Sequence, residues 1–383
     1  MSWNSVKLGE LYTVHNGLSK GSKFFGNGYP FLTFSTVFNN YFIPPELDSF
    51  VQSSEAERQN YSIKRGDVFV TRTSETSDEL GMSCVALKDY PNATYNGFTK
   101  RMRPFTDRVL PEFIGYYMRM PSFRGEFLAF STMTTRASLK NEDLLGLQIR
   151  LPEKETQKRI ADILSAYDNL VENNQKQIKL LEEASQRLYK EWFVDLRFPG
   201  YEDTSIVDGV PEGWEKVGLA SIAPIVTGKK DANFGTPDGK YLFFTCAQEP
   251  IRAPSYSFDC NAVILAGNGD FNVKLYRGQF EAYQRTYVFS PNETKHLYLL
   301  YHAVRESMRQ LFQGASGSTI KFLTKHMLED ITVFVPDKDT LNAFKNVCDA
   351  IQKKIECLKA QIMYSQESRD RLLPKLMSGE IEV

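Results

Sequence analysis

Gly267-Asn-Gly-Asp and Gly314-Ala-Ser-Gly-Ser are the two stretches glycine-rich enough to suggest a phosphate cradle. Neither has the spacing that lets successive backbone N–H groups wrap a phosphate, so both read as loops between strands. No dinucleotide fingerprint, P-loop, HExxH pair or GxSxG elbow is present. Also missing is the Asn-Pro-Pro-aromatic motif with which amino-methyltransferases hold a flipped base. The four His (15, 296, 302, 326) form no ligand set with the five Cys (84, 246, 260, 348, 357), and there is no CxxC. Zinc is therefore not expected, the thiols are expected to be reduced, and His15 and His302 are expected to be structural. With no catalytic residue to assign, the chain reads as a binding protein.

The remaining chemistry is cationic. A net charge of −1 over 383 residues points to no partner, but local counts do. From Phe98 to Lys140 there are eight Lys/Arg against three acids, a net of +5, and from Asn268 to Lys325 eight against four, a net of +4. Two separate basic stretches in a neutral chain suggest two anionic contacts; two solvated faces are the plainer alternative.

What must position these stretches is a repeated frame. Trp3–Leu11 has a counterpart 211 residues on at Trp214–Ile222, with Val14 falling on Ile225 and Gly17 on Gly228. Later the offset is 184: Thr135–Leu139 matches Thr319–Leu323, Leu144–Ile149 matches Leu328–Val333, and Leu151–Thr156 matches Val335–Thr340. The chain is thus a tandem duplication whose first copy has a middle 27 residues longer. A retained frame around diverged middles suits two readers of different targets, and ordinary loop drift would also produce it.

Each copy ends in a long helix. In Glu155–Phe193, Ile160, Ile163, Leu164, Tyr167, Leu170, Val171, Ile178, Leu181, Leu188 and Trp192 form one narrow stripe on a charged helix. At 1.5 Å per residue that helix would be roughly 58 Å long. Asp339–Leu373 carries Leu341, Phe344, Cys348, Ile351, Ile355, Leu358, Ile362 and Leu372 at heptad intervals, and Pro374 is expected to stop it. Two such stripes in one chain are satisfied by packing antiparallel. Asn174 falls inside the first stripe, where it either fixes register or sits solvated.

Before each helix the pattern is mixed. Strands are expected at Tyr29–Phe34, Gly66–Thr71, Met82–Leu87 and Leu147–Leu151, and a proline-started helix at Pro111–Met120. In the second copy strands are expected at Lys240–Thr245, Ala262–Ala266, Thr286–Phe289 and Ile331–Val335. Tyr201–Gly213, rich in Asp, Gly and Pro, reads as a linker. The fold class is therefore α+β: two mixed α/β domains in a pseudo-twofold tandem repeat, separated by two long helices packed as an antiparallel coiled coil. The expected bounds are domain 1 at 1–152, helix 153–198, domain 2 at 199–336 and helix 337–383. No basic-then-apolar leader opens the chain, and no apolar run nears the roughly 18 residues of a membrane span, so a cytoplasmic protein is expected.

Four segments carry a family resemblance. Leu151–Leu164 resembles the opening of each long helix in type I restriction-modification specificity subunits, and Tyr189–Gly200 the end of their central helix. Pro211-Glu-Gly-Trp-Glu resembles the entry to their second half and Leu373–Ile381 their C-terminus. The chain departs from the pattern at Asp339–Phe344, where the second helix opens. The resemblance implies a non-catalytic DNA-recognition subunit with two target-recognition domains, each reading half of a bipartite site in double-stranded DNA. It implies helices that set the spacing and dock two modification (methyltransferase) subunits, joined by restriction (translocase and nuclease) subunits. S-adenosylmethionine, ATP and Mg would belong to those partners, with no cofactor in this chain.

For a DNA reader, polar residues near strand ends or inside the basic stretches are the candidate contacts. In the first domain these are Lys20, Lys23, Arg72, Thr73, Ser74, Lys100, Arg101, Arg103 and Arg136. In the second they are Lys229, Lys230, Asn268, Lys274, Arg277, Gln284, Arg285, Ser318 and Lys321. Trp192 and Phe193, at the end of the first helix, are the candidate dock for modification subunits. Two other functions compete: a coiled-coil assembly scaffold that never contacts DNA, which the diverged middles disfavour, and an enzyme with an unrecognised site, which the missing motifs disfavour.

Overall fold

The computed structural model describes residues 3–74, 79–129, 137–269, 271–317 and 321–383, so Arg136 and Ser318 lie outside the described residues. The chain divides into two compact units, Met1–Asn173 with Gln361–Val383, and Asn174–Ala360. Both units thus take part of both long helices, whereas the sequence bounds gave each helix a segment of its own.

In the first unit a four-stranded antiparallel sheet runs in the order Tyr12–Asn16, Thr99–Pro104, Val68–Thr71, Ser83–Val85. A three-stranded sheet places Phe25–Leu32 between Phe50–Val51 and Thr94–Tyr95. Val68-Phe-Val is apolar at every position because both its faces are covered. Val68 and Val70 join a core with Phe113, Ile114 and Leu144, while Phe69 joins another with Leu32, Val37 and Tyr95.

The second unit holds a six-stranded sheet: Ile225–Thr227, Thr286–Phe289, Phe258–Ala266, Val273–Ala282, Tyr241–Phe244, Ile251–Ala253. Its pairs are antiparallel except Tyr241–Phe244 on Val273–Ala282. Its buried strand repeats the two-faced logic, with Val263 and Leu265 in one core and Ile264 in the other. Helix Leu297–Gly314 covers the first of these cores through Leu299, Leu300, Val304 and Leu311. Gly314 therefore ends a helix, contrary to the expected inter-strand loop.

The repeat extends to backbone register. Asn4–Lys7 pairs antiparallel with Gln148–Leu151, matching Asn4 to Leu151. Glu215–Gly218 pairs in the same way with Thr332–Val335, matching Glu215 to Val335. Gly17 and Gly228 also serve one purpose. A Cβ on Gly17 would stand 2.0 Å from the Asn96 carbonyl oxygen, and one on Gly228 would stand 2.1 Å from that of Ala282.

The first long helix is Lys154–Tyr189, continued by a wider π turn at Lys190–Val194, and the second is Lys338–Ser378. Each unit shows them antiparallel on its own. In the first, Ile160 and Leu164 share a core with Leu373, Leu376 and Met377, while Asp168 accepts a hydrogen bond from Arg369. In the second, Ser185 meets Cys348 and Phe193 meets Phe344. Asn174 is 2 % exposed, so it occupies a core position and not a solvated one. Pro374 does not stop the second helix. An interior proline costs about 3 kcal/mol, but Leu373, Leu376 and Met377 are all buried beside it and hold the last turn. The end comes at Gly379, with φ +75°, a conformation glycine adopts without strain.

The departure at the second helix opening has a structural counterpart. Asp337 caps that helix, its Oδ1 accepting from the Asp339 and Thr340 amides at 2.9 Å and its Oδ2 from Trp214 Nε1 at 3.3 Å. The first helix instead buries Gln157, which accepts from the Leu110 amide and donates to the Arg108 and Pro152 carbonyls. No helix among the described residues is long and apolar enough to cross a membrane.

Candidate nucleic-acid interface

The duplicated frame brings the same three backbone segments together at one end of each sheet. In the first unit the Arg72 amide donates to the Phe98 carbonyl at 3.0 Å, and the Arg72 carbonyl accepts from the Leu139 amide at 3.1 Å. In the second unit the Gly267 amide donates to the Arg285 carbonyl at 2.9 Å, and the Gly267 carbonyl accepts from the Leu323 amide at 2.8 Å. Thr71 pairs with Thr99, and Ala266 with Thr286. Position by position, Arg72 therefore corresponds to Gly267, Phe98 to Arg285, and Lys100 to Tyr287.

In the first unit this end carries Arg72, Phe98 and Lys100. Phe98 is 60 % exposed. Lys100 is only 6 % exposed and donates to Asn141 Oδ1. Burial, and secondarily the Arg72 charge, lower its pKa below the usual lysine range. The Arg72 guanidinium makes no hydrogen bond or ion pair among the described residues, and its Nε is shut away from water. Thr73 and Ser74 form a short strand beside Arg72, paired with Ala137–Ser138.

The other first-unit candidates are occupied elsewhere. Arg101 and Arg103 point off the opposite face of their strand from Lys100 and both reach the Ser62 carbonyl, at 2.7 and 2.9 Å. Arg103 also makes a two-point ion pair with the fully buried Asp67, at 2.7 and 2.6 Å. Both arginines are internal braces, which corrects their reading as surface contacts. Lys20 donates to the Gln52 carbonyl at 2.6 Å and to Glu57 at 2.8 Å, whereas Lys23 is exposed beside the Phe24 ring.

In the second unit the frame gathers more of the candidates. The Lys230 carbonyl accepts from the Gln284 amide, Asn268 bridges to Phe322, and the Lys321 carbonyl accepts from the Gly269 amide. Lys229, Gln284 and Arg285 are exposed there, and a cleft opens among Thr227, Gly267, Gln284, Arg285, Tyr287 and Phe322. Lys230 lies over the Phe234 ring and Lys321 over Phe312, 4.4 and 4.0 Å from the centroids. Two candidates are not part of this end. Lys274 donates to the Ala247 carbonyl at 2.8 Å, and Arg277 binds Asp349 of the second long helix at 3.2 Å.

The docking pair also needs correction. Phe193 is 2 % exposed and packs edge-on against Phe344, 4.8 Å between ring centres, so it fills the core of the second unit. Trp192 is half-buried against the same ring. The aromatics Phe98 and Phe322 are exposed inside the basic stretches, and their place beside cations is a signal that a search for polar residues alone does not use. A Ser185–His302 contact of 2.7 Å resembles a nucleophile–base pair, but both residues are buried and Gln186 occupies the other ring nitrogen. No group of metal-binding side chains occurs among the described residues.

Comparison with known proteins puts the duplicated frame in context. Residues 1–183 and 211–359 match the family described as the type I restriction modification DNA specificity domain. The type I restriction enzyme EcoDI specificity subunit of Escherichia coli is 36% identical over 176 residues, covering 45% of this chain and 39% of that one. The MjaIX specificity subunit of Methanocaldococcus jannaschii is 24% identical over 420 residues, covering 100% and 94%. The crystal structure of a type I restriction-modification S subunit from M. genitalium superposes with a TM-score of 0.55 at 13% identity, over 98% of this chain and 96% of that one. At that identity the likeness concerns the fold.

Proposed function

The chain belongs to the type I restriction-modification DNA specificity family, and from that premise we propose that each unit reads one half of a bipartite DNA site. The observation that carries this reading is the shared end of the two sheets. One backbone frame, with equivalent amide–carbonyl bonds in both units, presents Arg72, Phe98 and Lys100 in one copy and Gly267, Arg285 and Tyr287 in the other. A constant frame with exchanged side chains is how two copies of one fold acquire different base preferences.

In the same proposal the chain itself catalyses nothing. Two modification subunits dock on it and restriction subunits join them, and S-adenosylmethionine, ATP and Mg are assigned to those partners. The long helices act as spacer and dock; their continuity over 36 and 41 residues supports a stiff connection. The experiment is equilibrium binding of the chain, with modification subunits present, to duplexes carrying both half-sites, either one, or neither. Strong binding is expected only with both, weakening steeply as salt rises. Binding that is undetectable, or indifferent to salt and sequence, would favour the coiled-coil scaffold. Inserting one heptad into each helix is expected to lengthen the gap between half-sites and leave both sequences unchanged.

A further inference from the structure

The two copies of the reading end differ in one respect that their net charges hide. In the first unit two cations lie on paired strands, Lys100 opposite Val70 and Arg72 two residues further on, and no carboxylate is paired with either among the described residues. Lys100 is nearly buried and has a neutral partner, Asn141. Arg72 is half-buried, with a guanidinium Nε that neither water nor protein satisfies. Elsewhere in the same unit Arg103 is matched by Asp67 and the Ser62 carbonyl and Arg119 by the Ser83, Val37 and Asn40 carbonyls; Arg101 leaves its Nε unpaired but reaches the Ser62 carbonyl, whereas Arg72 has no side-chain partner among the described residues. Like charges held close and partly out of water oppose folding unless something with acceptor atoms arrives. The backbone leaves Arg72 little choice of place, because its amide and carbonyl are both fixed, to Phe98 and Leu139.

The equivalent positions of the second unit carry no such tension. Gly267 has no side chain, and Tyr287 replaces the lysine with a hydroxyl that donates to the Leu323 carbonyl at 3.0 Å. There the cation is Arg285, exposed and one strand over.

We propose that Arg72 and Lys100 form a two-cation seat for acceptor atoms of the bound nucleic acid, present in the first unit and absent from the second. This rests on the DNA-reading function above. The seat takes a ligand that offers acceptors only, which in DNA means phosphate oxygens or the O6/N7 edge of guanine; a planar guanidinium fits either by two parallel bonds.

The test uses the full chain with modification subunits and its cognate duplex. Arg72→Ala is expected to weaken binding roughly tenfold to a hundredfold, while the free chain melts at the same or a higher temperature because a like-charge contact has gone. A merely structural arginine would give the reverse, a lower melting temperature. Lys100→Gln, which keeps a donor for Asn141, is expected to act in the same direction, and Arg72→Lys to restore binding only in part. If the acceptor is guanine, the loss is confined to one position of the first half-site and is reproduced by 7-deazaguanine there. If it is phosphate, all sequences weaken alike and the slope of log affinity against log salt falls by about one. Wild-type binding by Arg72→Ala, or a loss that maps to the second half-site, would overturn the seat. Arg285→Ala in parallel separates the two claims. If it weakens binding while Arg72→Ala does not, the DNA-reading function stands and only the seat falls.

Discussion

The same strand is built twice in this molecule, and its two versions use opposite means to be stable. Thr99–Pro104 of the first unit corresponds by register to Thr286–Phe289 and Ser290 of the second. Where the first has Lys100, Arg101, Met102 and Arg103, the second has Tyr287, Val288, Phe289 and Ser290. Met102 and Phe289 are the shared core positions. Around them the first unit buries charge, pairing Arg103 with Asp67 and leaving the Arg101 Nε without a partner, while the second buries hydrocarbon. Asp67, the partner of Arg103, corresponds to Ala262. One backbone therefore tolerates either solution, provided that the buried carboxylate Asp67 keeps its cationic partner.

The largest expected effect breaks that symmetry from the charged side. Arg103→Ser alone should cost the first unit about 3–5 kcal/mol, because Asp67 would be left charged and fully buried with no ion-pair partner, the Lys64 amide alone still donating to it. Adding Asp67→Ala, which copies the second unit at both positions, should recover most of that loss even though it removes a second polar group. Unfolding followed unit by unit, by amide exchange or limited proteolysis, reads the difference. A double variant as unstable as the single one would mean that the pair is irreplaceable, and that the two strands are not alternatives on one frame.

A second effect, smaller, belongs to the other unit. His302 is 1 % exposed; Nδ1–H donates to Gln186 Oε1 at 2.9 Å, and Nε2 accepts from Ser185 at 2.7 Å. Burial foremost, and then the Arg305 charge, hold its pKa down to about 3. Between that value and the ordinary 6.5, the unfolded chain takes up a proton that the folded one refuses, so stability falls as pH falls. From pH 7 to pH 5 the second unit should lose roughly 2 kcal/mol. His296 of the same unit is also lowered by burial and adds to the loss. The first unit's histidine, His15, is exposed and buries no imidazole. Amide exchange at the two pH values should show the second unit loosening first, with His302→Gln flattening the dependence. Equal loosening of both units would refute the assignment.

These contrasts explain what could be read from the sequence. The frame was legible because it occurs twice: Asn4–Lys7 with Gln148–Leu151, and Glu215–Gly218 with Thr332–Val335, stand at matching offsets in the two copies. Both long helices were legible from periodicity, apart from Pro374, where packing of the last turn outweighs a local preference. The candidate site was only half legible. Thr-Lys-Arg-Met-Arg-Pro reads as a solvated basic patch, since the groups that let it enter the sheet, Ser62, Asp67 and Asn141, lie 36 to 41 residues away. Arg277 reads as a free cation for the same reason, its partner Asp349 being 72 residues distant. Charge type is a sequence property; which cations remain free is a tertiary one.

Lys229 tests that last point with the smallest effect. It follows Gly228, whose close approach to the Ala282 carbonyl fixes where the next residue emerges. Unlike Lys230 beside it, it has no partner among the described residues and is exposed. An exposed lysine of this kind contributes nothing measurable to folding, so Lys229→Ala should change stability by no more than about 0.5 kcal/mol. At a duplex it would act as a point charge on phosphate. Affinity should then fall only a few-fold, equally for all sequences, with the salt slope reduced by about one. The contrast with Arg285 is the sharper reading, because Arg285 can pair with a base edge and should change which sequence is preferred. If Lys229→Ala altered sequence preference instead, or left the salt slope untouched, the division of this end into positioning and reading residues would fail.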